Sequence, residues 1–345
     1  MVLFDVGQRV YNEGRIGVVI DTFVGEDGNT RYVTKFESNN PKVVEVVENF
    51  LAKDLELVEG VLMYAKPYVD SKIEELKERV EKLNKRPKLV IIRVEGDKAS
   101  ERYVRNKNKR ADEVGIDHET ILFPQDVSNK EVIDKIEELN FDDNVDGILL
   151  QLPLPKHLNE HYLTNKINPM KDVDGFTVYN SGLLALGQPS LVSCTPKGII
   201  SLLKFYNVNL KGKDVLIINA SNIVGKPLAN LLLIEGATPT IAHIHTEDLK
   251  DKIKKADIIV TATGQLRFLN ADDFVENQII VDVSMNLNEF GKLEGDVNKK
   301  DYDKLNEKGC SIVPVPGGIG QTTVISLIEN VVEIVERLEN SNEQN

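Results

Sequence analysis

A tyrosine and a lysine four residues apart, Tyr103 and Lys107, have types and spacing that could do chemistry. They lie in the charged stretch ERYVRNK, which is typical of the start of a helix, and at this spacing both side chains are on one helical face. A phenol beside an amine is able to move protons, because each group can donate or accept one. An arbitrary Tyr-x-x-x-Lys is most often a solvated helix face, so the surrounding elements must decide between the two interpretations.

Those elements predict a parallel sheet covered by helices. Residues 88–96 form an apolar run typical of a buried strand, and the helix carrying Lys107 follows it and ends near Gly115. Further segments continue as strand, helix and strand, an alternation typical of α/β proteins. Gln151 ends the last of these strands, VDGILL. Because ligands of open α/β sheets bind outside the carboxyl ends of the strands, we expect Gln151 to meet Lys107 there.

A turn-rich segment, residues 168–182, follows this unit and contains two acids, Asp172 and Asp174. From the residues alone, the simplest interpretation is a surface loop with helix-capping acids. The next stretch, SCTPKGIISLLKFY, predicts a helix with Thr195 as its N-cap and Pro196 at the first helical position.

The second half of the chain has the layout of a Rossmann-like nucleotide-binding domain. Residues 213–221 predict a buried strand, and NIVGKPLANLLLIEG then turns into a helix. Gly225 lies in that turn, where a helix amino terminus could receive a pyrophosphate. Gly264 directly follows a later strand and would let a dinucleotide approach the backbone closely. The turn is not G-x-G-x-x-G, so by itself it is a weak indication of nucleotide binding.

Residues 1–58 have a different character from the rest of the chain. Four or five short β-favouring runs, among them IGVVIDTFV and TRYVTKF, are separated by segments rich in Gly, Asn and Asp. This pattern predicts a small β-barrel of the SH3-like kind. Such a module either binds a partner or substrate, or is a structural appendage of the main body, and its partner is unknown.

Composition excludes several classes of protein. The chain has 345 residues, of which 41% are hydrophobic and 28% charged, as expected for a soluble protein with two or more domains. Its net charge of −13 argues against a general nucleic-acid binder. The two cysteines, Cys194 and Cys310, are too far apart to suggest a disulfide framework or a metal site. Neither a signal peptide nor a membrane helix is predicted, so we expect a cytoplasmic protein with no membrane partner.

Seven motifs occur in an order and at separations that resemble one family. They are YVRNKNKRADEVGI, VDGILLQLPLP, KDVDGF, SCTPKGI, SNIVGKP, GKLEGDV and PVPGGIG. Over about residues 61–335 the chain resembles the bifunctional methylenetetrahydrofolate dehydrogenase/cyclohydrolase (FolD) family, whereas residues 1–58 do not. The resemblance implies a folate-binding catalytic domain, residues 61–195 with 320–340, and a Rossmann-like NAD(P)-binding domain, residues 196–319. It also implies a homodimer.

The resemblance further implies an activity and a set of site residues. The family oxidises 5,10-methylenetetrahydrofolate with NADP and hydrolyses the methenyl product to 10-formyltetrahydrofolate. Lys107 matches the catalytic lysine, with Tyr103 and Gln151 as the neighbours able to hydrogen-bond it, and Asp174 matches the acid that holds the pterin ring. The remaining matches are the turn that lines the folate cleft, Pro316, Gly317 and Gly318, and the cofactor-binding residues Ser221, Asn222, Ile223, Val224, Gly225 and Gly264.

The chain departs from the family pattern mainly on the nucleotide side. Ala220 stands where the family usually has the arginine that grips the 2′-phosphate of NADP, and Ile244 replaces a serine that makes a second contact. The pair Ser284 and Met285 replaces a usual Gly-Ile, and Gln321 with Thr322 replaces Pro-Met. The cofactor is therefore expected to be NADP, with NAD possible. Two alternatives stay open: a cyclohydrolase with a vestigial nucleotide domain, and a non-catalytic folate- or nucleotide-binding regulatory protein.

Overall fold

The computed structural model describes residues 9–12, 15–24, 30–37, 45–51, 56–57 and 60–343. Five strands precede the main body and pair in antiparallel fashion, in the order β4-β3-β2-β1-β5. They are β1 (Arg9–Asn12), β2 (Arg15–Val24), β3 (Thr30–Glu37), β4 (Glu45–Leu51) and β5 (Glu56–Leu57). The predicted run of short strands is confirmed, whereas most of the predicted turns between them lie outside the described residues.

The first α/β unit contains a three-stranded parallel sheet in the order β7-β6-β8. Every residue of β8 is buried, and so are five of the seven residues of β6. Such burial is typical of parallel sheets, because helices cover both of their faces. The elements are α1 (Ala65–Glu81), β6 (Lys88–Val94), α2 (Lys98–Val114), β7 (Asp117–Phe123), α3 (Asn129–Phe141), β8 (Gly147–Leu150), α4 (Glu160–Thr164), α5 (Val178–Ala185) and α6 (Cys194–Phe205).

The start of α6 differs from the prediction. The helix begins at Cys194 with Ser193 in the N-cap position, so the prediction that Thr195 caps it is wrong by two residues. Both hydroxyls have tertiary partners instead. The Thr195 hydroxyl lies 3.1 Å from that of Thr323, and the Ser193 hydroxyl donates to the carbonyl of Ile223 at 2.9 Å.

The second unit contains five parallel strands in the order β10-β9-β11-β12-β15, which confirms the predicted Rossmann-like layout. From β9 the chain crosses to β10 on one side and then returns to β11 on the other side of β9. The crevice typical of such folds therefore opens at the carboxyl ends of β9 and β11. The elements are β9 (Asp214–Ile218), α7 (Gly225–Ile234), β10 (Thr238–Ala242), α8 (Leu249–Lys255), β11 (Ile258–Thr261), β12 (Ile279–Asp282), β13 (Asn286–Leu287), β14 (Leu293–Glu294), α9 (Tyr302–Glu307) and β15 (Ser311–Val313).

The last helix, α10 (Ile319–Glu343), returns from the second unit and packs against α1, α2 and α6. Its buried Glu329 pairs with Lys72 of α1 and Lys197 of α6, both at 3.1 Å. The neighbouring Asn330 donates its amide to the carbonyls of Val173 and Val192 at 2.8 and 2.9 Å. Since Asp174 follows Val173, these bonds hold the loop that carries a predicted site residue. No described helix is long and apolar enough to cross a membrane.

Candidate active site in the interdomain cleft

Lys107 and Gln151 meet as predicted. Lys107 is 9% exposed and Gln151 is 8% exposed, and the lysine Nζ donates to Gln151 Oε1 at 2.9 Å. Gln151 is held at both ends, because its backbone N–H donates to Ile92 at 2.8 Å and its Nε2 donates to the carbonyl of Leu152 at 2.6 Å. With its amide nitrogen engaged, the glutamine presents its oxygen to the lysine. Helix α2 and the end of β8 therefore place the Lys107 ammonium in a buried position with a fixed direction.

Asp174 belongs to the same cluster. Burial raises the pKa of Asp174, whereas the nearby positive charge of Lys107 and a hydrogen bond with the Cys194 thiol lower it. The interpretation of this residue as a surface capping acid is therefore wrong. Asp172 has the structural role, because its buried carboxylate accepts from the backbone N–H of Thr177 at 2.8 Å, at the start of α5, and from Asn180 Nδ2 at 3.0 Å.

Tyr103 lies on the same face of α2, but its hydrogen bond differs from the expected one. The phenol donates at 3.3 Å to the sulfur of Met285, a residue of the second unit that follows β12. Burial raises the pKa of Tyr103, so the hydroxyl keeps its proton at neutral pH. Of the two predicted partners of Lys107, Gln151 makes its hydrogen bond in the described structure, and Tyr103 is engaged by Met285.

The turn formed by Pro316, Gly317 and Gly318 connects β15 to α10. Gly317 has a φ of +110°, which favours glycine, and its carbonyl accepts from the backbone N–H of Ala65 at 2.8 Å. A Cβ on Gly318 would lie 2.6 Å from the carbonyl oxygen of Pro314. The two glycines thus let the turn close tightly against the start of α1, while Pro316 is exposed.

The nucleotide turn is organised by Asn219, which is not among the cofactor-binding residues predicted from the sequence. Its Oδ1 accepts from the backbone N–H groups of Ser221 and Gly225 at 2.8 and 3.0 Å, and its Nδ2 donates to Ala262 at 2.7 Å. A Cβ on Gly225 would lie 2.0 Å from the carbonyl oxygen of Asn219, so only glycine fits. The signal for Asn219 was its position directly after a buried strand, where asparagine commonly bonds backbone groups nearby.

The other predicted cofactor residues lie along the same turn, except Gly264, which follows β11. Asn222 accepts from the Nζ of Lys226 at 2.7 Å, and the side chain of Ile223 is 46% exposed. Val224 occupies the N-cap position of α7, so the amino terminus of that helix is directed at the turn. Gly264, with a φ of +70°, follows β11 and donates its N–H to the hydroxyl of Ser284 at 3.0 Å.

Beside this turn is a cavity of about 460 Å³. Among the described residues, its lining contains no lysine, arginine, aspartate or glutamate. Ala220 and Ile244 both line it, and Ile244 is 89% exposed. Apolar side chains such as Phe268 suit an adenine ring, and the amino terminus of α7 suits a pyrophosphate. The residues present therefore fit a dinucleotide.

Two family models match the chain over both units. The catalytic domain of tetrahydrofolate dehydrogenase/cyclohydrolase matches residues 63–174, and the NAD(P)-binding domain of the same family matches residues 193–339. The chain belongs to the tetrahydrofolate dehydrogenase/cyclohydrolase family.

Individual relatives agree with this membership. The chain is 43% identical over 291 residues to the bifunctional protein FolD of Lactococcus lactis subsp. cremoris, which covers 84% of this chain and 99% of the relative. It is similar to the crystal structure of the bifunctional enzyme FolD from Campylobacter jejuni, with a TM-score of 0.78, 40% identity, and coverage of 81% of this chain and 99% of that one. It is also similar to the FolD structure from Trypanosoma brucei complexed with NADP cofactor and inhibitor, with a TM-score of 0.75, 30% identity, and coverage of 81% and 98%.

Proposed function

We propose that this family member oxidises 5,10-methylenetetrahydrofolate with a nicotinamide dinucleotide and hydrolyses the methenyl product to 10-formyltetrahydrofolate in one cleft. The observation that carries the proposal is the buried Lys107 ammonium, bonded to Gln151 at 2.9 Å and electrostatically coupled to Asp174. A ligand that binds at this cleft meets a proton donor and an acid at fixed positions. A solvated helix face would offer neither.

For the oxidation, the chain's task is to hold the folate in register. We assign pterin binding to Asp174 and the lining of the cleft to Pro316, Gly317 and Gly318. Residues 221–225 and Gly264 would hold the nicotinamide cofactor, which would supply the hydride acceptor. Holding two reactants in a productive arrangement lowers the barrier because the entropy of bringing them together is already lost on binding.

For the hydrolysis, one water adds to the cationic methenyl carbon and one proton is released as the ring opens to the formyl product. We assign the movement of protons to Lys107, directed by Gln151 Oε1, with the Tyr103 hydroxyl as a second proton-handling group on the same face of α2. General acid–base groups of this kind typically contribute factors of about 10² to 10⁴ in rate.

Cofactor choice is proposed from the cavity beside the nucleotide turn. Because its described lining carries neither lysine nor arginine, we propose that NAD is used at least as well as NADP. The test measures methylenetetrahydrofolate oxidation with each cofactor separately. A comparable or higher kcat/KM with NAD is expected, whereas a strong preference for NADP would contradict the proposal.

The same assay separates the alternatives. Hydrolysis without oxidation by either cofactor would mean a cyclohydrolase with a vestigial nucleotide domain. Tight folate binding with no turnover in either reaction would mean a regulatory protein. The buried Lys107–Gln151 pair favours an enzyme, since binding alone does not need a buried ammonium.

We propose that the folate-binding unit comprises residues 61–195 with 320–340, and the nucleotide unit residues 196–319. The return of α10 to α1 and α2 supports this division. We also propose a homodimer through the nucleotide unit. Its edge strand β10 and the adjoining helix α7 expose three apolar side chains, Leu233, Ile234 and Ile241. An Ile241→Lys variant that remained dimeric by molecular mass in solution would argue against that interface.

We propose that the first five strands close into an SH3-like barrel. The support is the antiparallel order with β1 between β2 and β5. Deleting residues 1–58 and measuring both activities and the molecular mass would distinguish a role in assembly, a role in catalysis and a partner-binding module that affects neither.

A further inference from the structure

Two consecutive residues, Ser284 and Met285, lie between the cofactor side and the folate side of the cleft. They follow β12 at its carboxyl end, where the chain enters the cleft. Ser284 is 7% exposed, and its hydroxyl accepts from the backbone N–H of Gly264 at 3.0 Å. Its own N–H donates to the buried Asp282 at 3.2 Å. The hydrogen bond to Asp282 thus fixes the serine, and the serine hydroxyl in turn holds the turn at Gly264.

Met285 extends in the opposite direction. Its sulfur accepts from the Tyr103 hydroxyl at 3.3 Å, which joins the nucleotide unit to helix α2 of the folate unit. The same sulfur lies 3.2 Å from the position that a Cβ on Gly320 would occupy, so it also fills the space beside the start of α10. The thioether therefore contacts two helices of the opposite unit.

Neither contact is available to the Gly-Ile pair that usually occupies these positions in the family. A glycine has no hydroxyl to accept the Gly264 N–H, and an isoleucine has no sulfur to accept the Tyr103 hydroxyl. Because burial raises the pKa of Tyr103, its phenol remains a donor, and a thioether can only accept. Each of the two contacts therefore pairs a donor with an acceptor. We call the Ser284–Gly264 contact the serine arm and the Met285–Tyr103 contact the methionine arm.

We propose that Ser284 and Met285 are positioning residues that set the cofactor-binding Gly264 turn in register with Tyr103 on the folate side. The inference rests on the proposed function. Hydride transfer requires the two ligands to be aligned, and small displacements of a group that aligns them are costly. Neither residue needs to touch the reacting atoms for this role.

The serine arm is tested with Ser284→Ala. Loss of the hydrogen bond to Gly264 N–H should lower kcat of the oxidation about tenfold, the effect of roughly 1.4 kcal/mol. Hydrolysis, which does not need the cofactor turn, should stay within about twofold. A general loss of folding would lower both reactions together, so the split between them is the informative readout.

The methionine arm is tested with a pair of variants. Met285→Leu keeps an apolar side chain of similar size but offers no acceptor, whereas Met285→Gln offers an oxygen at similar reach. The leucine variant should lose about fivefold to tenfold in both reactions, as expected for one hydrogen bond, and the glutamine variant should recover most of that loss. Met170→Leu is the matched control, because Met170 is similarly exposed at 48% and lies in the folate unit.

The outcomes are distinguishable. If the native chain is active, a Ser284→Ala variant with an unchanged rate of oxidation overturns the serine arm. A variant in which oxidation and hydrolysis fall equally also overturns it. Leucine and glutamine variants that behave alike at position 285 overturn the methionine arm. A native chain that performs neither reaction rejects the proposed function and this inference with it.

Discussion

The two sides of the cleft are built from different materials. On the folate side we assign the chemistry to buried side chains, Lys107 and Gln151, which bond each other and are held by α2 and the end of β8. On the nucleotide side we propose recognition by backbone N–H groups and a helix terminus, in a turn that Asn219 organises. Ala220 and Ile244 only line the open cavity. From this comparison we expect substitutions in the cavity lining to change which cofactor is preferred, and a change in the buried pair to remove the reaction.

The largest expected effect is on the folate side. Lys107→Met removes the amine to which we assign the movement of protons, and we expect hydrolysis to fall about 10³-fold, within the range typical of general acid–base groups. The measurement is methenyltetrahydrofolate hydrolysis under saturating substrate. Lys109→Met is the control, because Lys109 lies on the same helix but is exposed and pairs with Glu113 at 3.8 Å. Equal rates in the native and Lys107→Met chains would remove the basis of the assignment.

The second prediction tests whether the nucleotide side depends on Asn219. Asn219→Ala leaves the N–H groups of Ser221 and Gly225 without their acceptor. We expect KM for the cofactor to rise roughly 10- to 100-fold, the cost of two or so hydrogen bonds, with hydrolysis little changed. Asn209→Ala, an exposed change before β9, is the control. A parallel loss of hydrolysis would mean that the two sides are not independent.

The third prediction concerns a residue that lines the cavity without organising it. Ala220→Arg adds a positive fork where a 2′-phosphate would lie, so kcat/KM with NADP should rise relative to NAD by about tenfold, in line with one charge-assisted hydrogen bond. Gln188→Arg adds the same charge in the folate unit and should leave the ratio unchanged. An Ala220→Arg ratio equal to that of the native chain would place the ribose elsewhere.

The last prediction uses pH and stability rather than turnover. Burial raises the pKa of Asp282 to about 7, with the charge of Asp296 adding to the effect. The folded chain therefore keeps this proton to a higher pH than the unfolded chain, and the stability it contributes falls as pH rises from about 4 to 7. Asp282→Asn lacks this dependence. The free energy of unfolding of the native chain, relative to that of the variant, should fall by roughly 3 kcal/mol between pH 4.5 and 7.

A constant difference across that range would mean that Asp282 titrates normally. The effect on activity should be the smallest of the four near neutral pH, because Asp282 lies beneath Ser284 and not in the cleft.

How far the sequence could predict the site depends on the range of each contact. The meeting of Lys107 and Gln151 followed from topology, since each lies at a place that parallel sheets bring to one edge. The capping of α6 by Thr195 was wrong, because Thr323, on another helix, lies against that hydroxyl. The assignment of Asp174 came from the KDVDGF motif, whereas its loop by itself resembled an exposed turn.

The sequence by itself determined the order of strands and helices, the family, and which residues are candidates for chemistry, because apolar periodicity and motifs are local properties of the chain. Only the tertiary structure decided the hydrogen-bond partner of Tyr103. Tyr103 bonds Met285, 182 residues away, instead of the lysine one turn along its own helix. The physical reason is that a hydrogen bond goes to the partner that packing brings within about 3 Å, and local spacing alone does not specify that partner.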